Sequence, residues 1–275
     1  MLNQNRTYLV LLLLCLGSRI LTSIFYIEDI DSLRFALSIK EFDINKLQPH
    51  FPGYPVYCFF LKILYQITKN TGISFSILGG ISVYIIIIYV LRICRIELKT
   101  RVGIICCFII FFNPIIWIMS NRYMPDLFGL SILVVSIFYL LYGNKKTQIY
   151  KGYFLTGLLA GIRISYLPFL LAPIIYTFIN EKNKPYLALA SLSGIFLWAI
   201  PFAWITGVDS LLENAFTQAQ GHFTNFGGTI LTDTDWTIRM KYLILGIWSD
   251  GFGGYWVGRS IQTIPLSITL LYLLK

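Results

Sequence analysis

The chain has 275 residues, 56% of them hydrophobic and only 13% charged, with a net charge of +9. A soluble domain carries roughly 25% charged residues, and a soluble chain of this size has nowhere to bury so much apolar surface. The charges are bunched between apolar stretches of about 17–25 residues, the length that crosses a hydrocarbon core near 30 Å, so the composition excludes an ordinary soluble domain.

Arg6 and the apolar run after it imitate a signal peptide, but the run continues through residue 26 without a small-residue cleavage site. Residues 7–25 therefore read as a retained first span. Residues 31–42 fit an amphipathic helix with Asp31, Arg34, Ser38 and Glu41 on one face, suited to lie in the membrane interface. Gln48-Pro49-His50-Phe51-Pro52-Gly53-Tyr54-Pro55 holds three prolines and a glycine in seven positions, which forbids a helix and fixes a rigid turn. The apolar stretch 54–67 is interrupted by Lys62 and is short for a span. Further spans are read at 73–93, 102–119 and 127–142. Residues 152–180 form either one long helix or two short ones broken at 163–168; Gly161 and Pro168 favour the break. A span at 184–206, a long polar loop at 207–259 and a last span at 260–275 complete the chain, which stops as a short or truncated protein would.

The positive-inside rule orients these spans. If residues 54–67 lie on the outer surface, the inner side collects Arg6, Arg92, Arg95, Lys99, Arg101, Lys145, Lys146, Lys151, Lys182, Lys184 and Lys275. Of the 13 acids, only Glu97 and Glu181 fall there. The excess of basic residues thus reflects topology and does not call for nucleic acid. The expected fold is an all-α polytopic transmembrane bundle of about eight spans, N-terminus inside, with surface-lying helices in the first outer loop. It divides into a module at 1–206, an extracytoplasmic loop at 207–259 and the last span at 260–275.

Glu28, Asp29 and Asp31 follow the first span directly. Each is either a solvated loop acid or, at the start of an interfacial helix, a general base for an acceptor hydroxyl. His50 carries a titratable ring inside the rigid turn, there either bonded locally or functional. Asp126 lies in the outer turn 120–126, on the membrane side of Asp31. It either caps the next helix or converges with Asp31 on one cleft, where two acids can share a divalent metal.

Arg163, in Gly161-Ile162-Arg163-Ile164-Ser165-Tyr166, is an ionisable residue at membrane depth. Such residues are costly and usually face a cavity. Its planar fork of donors suits a phosphate, with Arg122 next and Arg19 a weaker candidate; the alternative is a snorkelling side chain.

The segment 207–259 holds His222, Asn225, Gly227, Gly228, Thr229, Asp233, Asp235, Trp236, Arg239, Lys241 and a glycine-aromatic run at 250–256. That composition is common in sugar-facing loops without being diagnostic, and a lone His222 reads as structural. The five cysteines, Cys15, Cys58, Cys94, Cys106 and Cys107, show no CxxC or Cys/His spacing and read as buried, inert thiols. Walker, GxGxxG and HExxH sequences are absent, which speaks against nucleotide binding and a zincin site.

The run from Asp31-Ser32 through Arg34-Phe35-Ala36-Leu37 and Asp43 to the 48–55 turn resembles the first outer loop of the GT-C superfamily. These are membrane glycosyltransferases that use lipid-linked sugars, among them protein O-mannosyltransferases and the aminoarabinose transferases of lipid A. The likeness is greatest to bacterial members with an acid after span one and a His-Pro-Pro-Gly-Tyr-Pro turn, where this chain has Phe51 in place of the first of those prolines. In motif it covers residues 28–57, and in span pattern 1–206.

The resemblance implies that Asp31 is the catalytic acid, with Asp29 and Glu28 after it, and that Asp126 is the family's second acid. Relatives place another acid a few residues after the first, where this chain has Arg34. It implies a polyprenyl-phosphate sugar donor held by Arg163 and Arg122, substrate contacts from His50, Tyr54 and Asp126, and a glycan, lipid or protein acceptor. The site is expected on the outer face of a bacterial cytoplasmic membrane, among membrane lipids and without nucleic acid. A divalent metal, for which Asp31 and Asp126 are the candidate ligands, is neither required nor excluded. Attack opposite the leaving phosphate would invert the anomeric centre.

The rival reading is a transporter or flippase for a lipid-linked or small solute, which also uses intramembrane charges and broken helices. Transport sites lie near the midplane on repeated half-helices; here no internal repeat is evident and the acids cluster at one face. A catalytically inactive fragment is the third reading.

Overall fold

A computed structural model describes residues 2–143, 145–224, 235–261 and 263–273. Among the described residues the chain is helical, without β-strands. The helices are α1 (Leu2–Leu21), α2 (Ile30–Ser38), α3 (Pro55–Thr68), α4 (Thr71–Ile93), α5 (Arg101–Phe111), α6 (Pro114–Met119) and α7 (Asp126–Tyr142). They continue as α8 (Lys146–Ala160), α9 (Leu171–Asn180), α10 (Lys184–Thr206), α11 (Val208–Thr224), α12 (Trp236–Leu245) and α13 (Thr263–Leu273).

Local chemistry sets most boundaries. Asn70, Thr100 and Asn113 each accept a backbone N–H in the first turn of α4, α5 and α6, satisfying donors that have no partner within the helix. The expected span at 102–119 is divided here, because Asn113 caps a new helix and Pro114 opens it at the one position where a missing N–H costs nothing. The break expected at 163–168 is present: α8 stops at Ala160, a 3-10 turn runs over Ile164–Leu170, and α9 follows. The amphipathic helix expected at 31–42 is shorter, and Ser38, assigned to its polar face, is buried with Ser32 and Phe35.

The segment 207–259, expected as a polar loop, carries α11 and α12 and a π-helical turn over Gly246–Gly251. Asn225, Gly227, Gly228, Thr229 and Asp233 lie outside the described residues. Of the cysteines expected to be buried, Cys15, Cys58 and Cys107 are, whereas Cys94 is exposed beside the basic turn at 95–101.

Helix α4 is the hub. It packs on α1, α3, α5 and α7, while α7 packs on α8 and α8 on α10. Small residues make the close approaches. A Cβ at Gly157 would come 2.2 Å from the Ser191 carbonyl oxygen, and one at Gly194 equally close to that of Phe154, so α8 and α10 meet backbone to backbone. On α4, a Cβ at Gly79 would stand 1.8 Å from the carbonyl oxygen of Ser120, which seats the 120–126 turn directly on the hub.

Among the described residues two helices, α4 and α10, are long and apolar enough to cross a membrane. Helix α10 turns Leu189, Phe196, Leu197, Ile200 and Trp204 outward. Helices α5, α7 and α13 are apolar but shorter, so helix length by itself does not establish about eight spans. Helix α3 has 14 residues, about 21 Å of helix and less than a hydrocarbon core.

Gly79→Ala is expected to cost about 1–3 kcal/mol, the usual penalty of overpacking, seen as a lower midpoint of thermal unfolding in detergent. Gly17→Ala, with no atom within 4 Å of the added carbon, should leave the midpoint unchanged or raise it.

Candidate active site

The C-terminal end of α1, the N-terminal ends of α3, α4 and α7, and the C-terminal end of α8 meet at one end of the helices. Five of the residues singled out in the sequence come together there as one chain of contacts. Asp31, in the first turn of α2, pairs with Arg34 Nη1 at 2.9 Å and faces His50 Nδ1 at 3.5 Å, both through Oδ1. The second contact lies within ion-pair range but lacks the alignment of a hydrogen bond. His50 Nε2 lies 3.1 Å from the Tyr54 hydroxyl. Arg163 Nη1 donates to that hydroxyl at 3.4 Å, and Arg163 Nη2 pairs with Asp126 Oδ1 at 2.8 Å.

Four segments far apart in sequence supply these groups, and each is held for a local reason. Gly53 has φ +83°, and a Cβ there would strike the Phe202 ring at 2.5 Å, so the 49–54 turn closes only because the residue is glycine. The turn contains cis peptide bonds before Pro49 and Pro52. Tyr54 is itself left-handed at φ 46°. The amide of Val56 bonds the Gly161 carbonyl at 3.1 Å, docking the turn beside Arg163. Asp126 does not cap α7, whose cap position is Pro125; its carboxylate is turned to Arg163 instead.

Electrostatics differ along this chain. Burial lowers the His50 imidazole below its ordinary value; Asp31 opposes that, and Arg34 and Arg163 add to it. Burial raises the Tyr54 phenol, with the Arg163 charge pulling the other way. Two buried polar atoms of this chain, His50 Nδ1 and Arg163 Nε, have no hydrogen-bond partner. Buried polar atoms left over in this way are uncommon. Side-chain exposures of 40% for Asp31, 28% for Arg163 and 25% for Asp126 leave the carboxylates and the guanidinium reachable.

Glu28, Asp29 and Arg122 form a separate cluster. Arg122 Nε meets Glu28 at 2.7 Å, and its Nη2 pairs with Asp29. Asp29 also accepts the Ser32 amide at 2.7 Å as the cap of α2. Burial raises the Asp29 carboxyl, but the Ser32 hydrogen bonds and the Arg122 charge outweigh it, leaving the group below its ordinary value. Arg122 is thus engaged by two acids, Glu28 by that cation, and Asp29 by the cation and a helix end. Arg19 is wholly buried, bonded to Ser120 Oγ, Ser18 Oγ and the Phe111 carbonyl, with the Phe111 and Trp117 rings against it. It is not available to a ligand.

Asp31 and Asp126, the pair expected to share a metal, stand at opposite ends of the chain of contacts, each engaged by a guanidinium. Among the described residues no three His, Cys, Asp or Glu side chains gather as a ligand set. The Asp31–Arg34 pair joins two residues that the sequence already set on one helix face, whereas the bonds made by Ser120 and Asn121 reach 45 to 101 residues along the chain and leave no local pattern.

Among the described residues the chain is helical, two helices are long and apolar enough to cross a membrane, and ion-paired polar side chains gather at one end, the features of a helical membrane protein with a polar site. A family model described as dolichyl-phosphate-mannose-protein mannosyltransferase matches residues 49–205, more than half of the chain. The chain belongs to that family, of GT-C type, whose members are integral membrane glycosyltransferases using polyprenyl-phosphate-linked sugars. The matched residues include His50, Tyr54, Arg122, Asp126 and Arg163 and begin after Asp31. No curated protein and no solved structure matches the chain.

The depressed Asp29 carboxyl contributes stability that is fully present above about pH 4 and is lost as pH falls through its lowered folded value. Acid unfolding of the wild type should therefore carry a component in that range. Asp29→Asn should remove it and, at neutral pH, lower stability by about 0.5–2 kcal/mol for the weakened cap, both read from unfolding midpoints across a pH series.

Proposed function

We propose that this protein transfers a sugar from a polyprenyl-phosphate donor to an acceptor hydroxyl at the extracytoplasmic face, with inversion, and that Asp31 is the general base. The observation that carries the reading is the contact chain from Asp31 through His50, Tyr54 and Arg163 to Asp126, drawn from four separate segments at one end of the helices. In a polytopic bundle with its N-terminus inside, that end faces outward, as the distribution of basic loops favours.

In this mechanism Asp31 takes the proton of the acceptor hydroxyl as the acceptor oxygen attacks the anomeric carbon. The bond from that carbon to the phosphate oxygen breaks, and its electron pair leaves with the phosphate. Arg163 stabilises the charge that develops there, and its unpartnered Nε–H is a further donor that supports this role. His50, Tyr54 and Asp126 border the same cleft and contact substrate. Arg122, engaged by Glu28 and Asp29, is a secondary phosphate contact. No step here runs through a metal. The transporter reading fits less well, because the ionised groups gather at helix ends and not midway along a span.

The test uses purified protein in lipid with polyprenyl-phosphate sugars, with and without divalent metal, following release of free polyprenyl phosphate. Asp31→Asn is expected to lower the rate roughly 10²–10⁴-fold, the contribution of a general base. Arg163→Ala should weaken both donor affinity and rate. Full activity of a stably inserted Asp31→Asn protein would remove Asp31 from the mechanism. No release by the wild type with any donor would move the assignment to transport.

A further inference from the structure

The contact chain also determines which nitrogen of His50 carries the proton. Arg163 Nη1 is a donor only, and it points at the Tyr54 hydroxyl from 3.4 Å. That hydroxyl accepts from Arg163 and has one proton of its own to give. Its next neighbour is His50 Nε2 at 3.1 Å, and the phenol proton is used in this bond when Nε2 offers the lone pair. A neutral imidazole carries one N–H, so the proton sits on Nδ1. The other side of the ring leads to the same result independently. Nδ1 is buried, has no hydrogen-bond partner and faces Asp31 Oδ1 at 3.5 Å. A lone pair there would oppose a carboxylate; an N–H is attracted to it. Burial disfavours the doubly protonated ring, as do Arg34 and Arg163, against the pull of Asp31.

The surroundings hold this geometry. Phe35, itself buried, packs edge-on against the His50 ring at 5.9 Å and the Tyr54 ring at 5.1 Å, which fixes both planes. Tyr54 adopts a left-handed backbone at φ 46°, an unfavourable conformation for a residue with a Cβ. A strained residue persists where its surroundings over-determine it, and here the strain delivers the phenol between Arg163 and His50. Both Arg34 and His50 approach Asp31 through Oδ1, so the two oxygens of the carboxylate are not equivalent.

We propose that Tyr54 is a positioning residue: it fixes His50 as the Nδ1–H tautomer, whose N–H faces Asp31 Oδ1 and attracts it, leaving Oδ2 to receive the acceptor proton. The assignment of Oδ2 rests on Asp31 being the base; the tautomer does not. Through this linkage the arginine at the phosphate end of the cleft orients the carboxylate at the acceptor end.

The experiment uses the full chain in lipid, labelled with 15N-histidine. The sequence has two histidines, so His222→Gln leaves His50 as the sole signal. The wild-type ring is expected with a protonated Nδ1 and a bare Nε2. Tyr54→Phe should move proton population to Nε2 and lower kcat roughly tenfold, about one hydrogen bond in size. His50→Asn, whose amide N–H lies near the Nδ1 position, should retain more activity than His50→Gln, whose N–H lies near Nε2. An Nε2–H or doubly protonated ring in the wild type overturns the proposal, and so does better rescue by Gln than by Asn. Should Tyr54→Phe fail to fold, the wild-type spectrum and the Asn and Gln pair still decide. The spectrum needs no substrate, so a wild type inactive on every donor defeats the transferase reading while the tautomer is judged separately.

Discussion

The seven residues at 120–126 hold the polar end of this molecule together. Ser120 accepts from Arg19 and lies on Gly79, and Asn121 bonds Thr22 and Ser76. Arg122 engages Glu28 and Asp29, and Tyr123 donates to the Ile24 carbonyl. The Met124 carbonyl accepts from Tyr57, and Asp126 pairs with Arg163. Buried polar groups among apolar helices must find partners within the protein. A turn that supplies them residue by residue ties α1, the first loop, α3, α4 and the end of α8 into one frame.

That frame separates charges that are spent from charges that are held ready. Arg19 is enclosed by neutral oxygens and two aromatic rings. Burying a cation is costly without such compensation, and the enclosure leaves it no role at a ligand. Arg122 is shared by two acids. Arg163 differs: one acid, one phenol and an unused buried donor. In the mechanism we propose, chemistry therefore falls to the Arg163 end and the Asp31 end of this contact chain, with His50 and Tyr54 between them.

Backbone chemistry sets the path of the chain near the site, and side-chain packing orients its rings. The 49–54 turn has no regular helix to stabilise it; prolines, Gly53 at positive φ and the amide link from Val56 to Gly161 set its path. A rigid element of this kind presents His50 and Tyr54 in fixed orientation, the condition under which donors contribute to catalysis without reorganisation. Pro49 and Pro52 flank His50-Phe51, and Gly53 meets Phe202, so the turn closes with a phenylalanine at 51.

Composition and spacing alone gave helices, an apolar environment, the non-helical turn at 48–55 and the residue types suited to acid, base and phosphate contact, because each is a local property of the chain. The break at 163–168 was legible for the same reason, since Pro168 and Gly161 act on their own backbone. The division at Asn113-Pro114 follows the same chemistry but was hidden inside an apolar run. The helices within 207–259 were masked by polar and glycine residues. Asp29 and Asp31 are two residues apart and chemically alike; tertiary structure alone assigned one to a helix cap with Arg122 and turned the other toward His50. The same holds for Arg19, Arg122 and Arg163, whose availability depends on partners brought from distant segments. Pairing over such separations is fixed by how helices pack, and packing is a property of the whole fold that no local pattern carries.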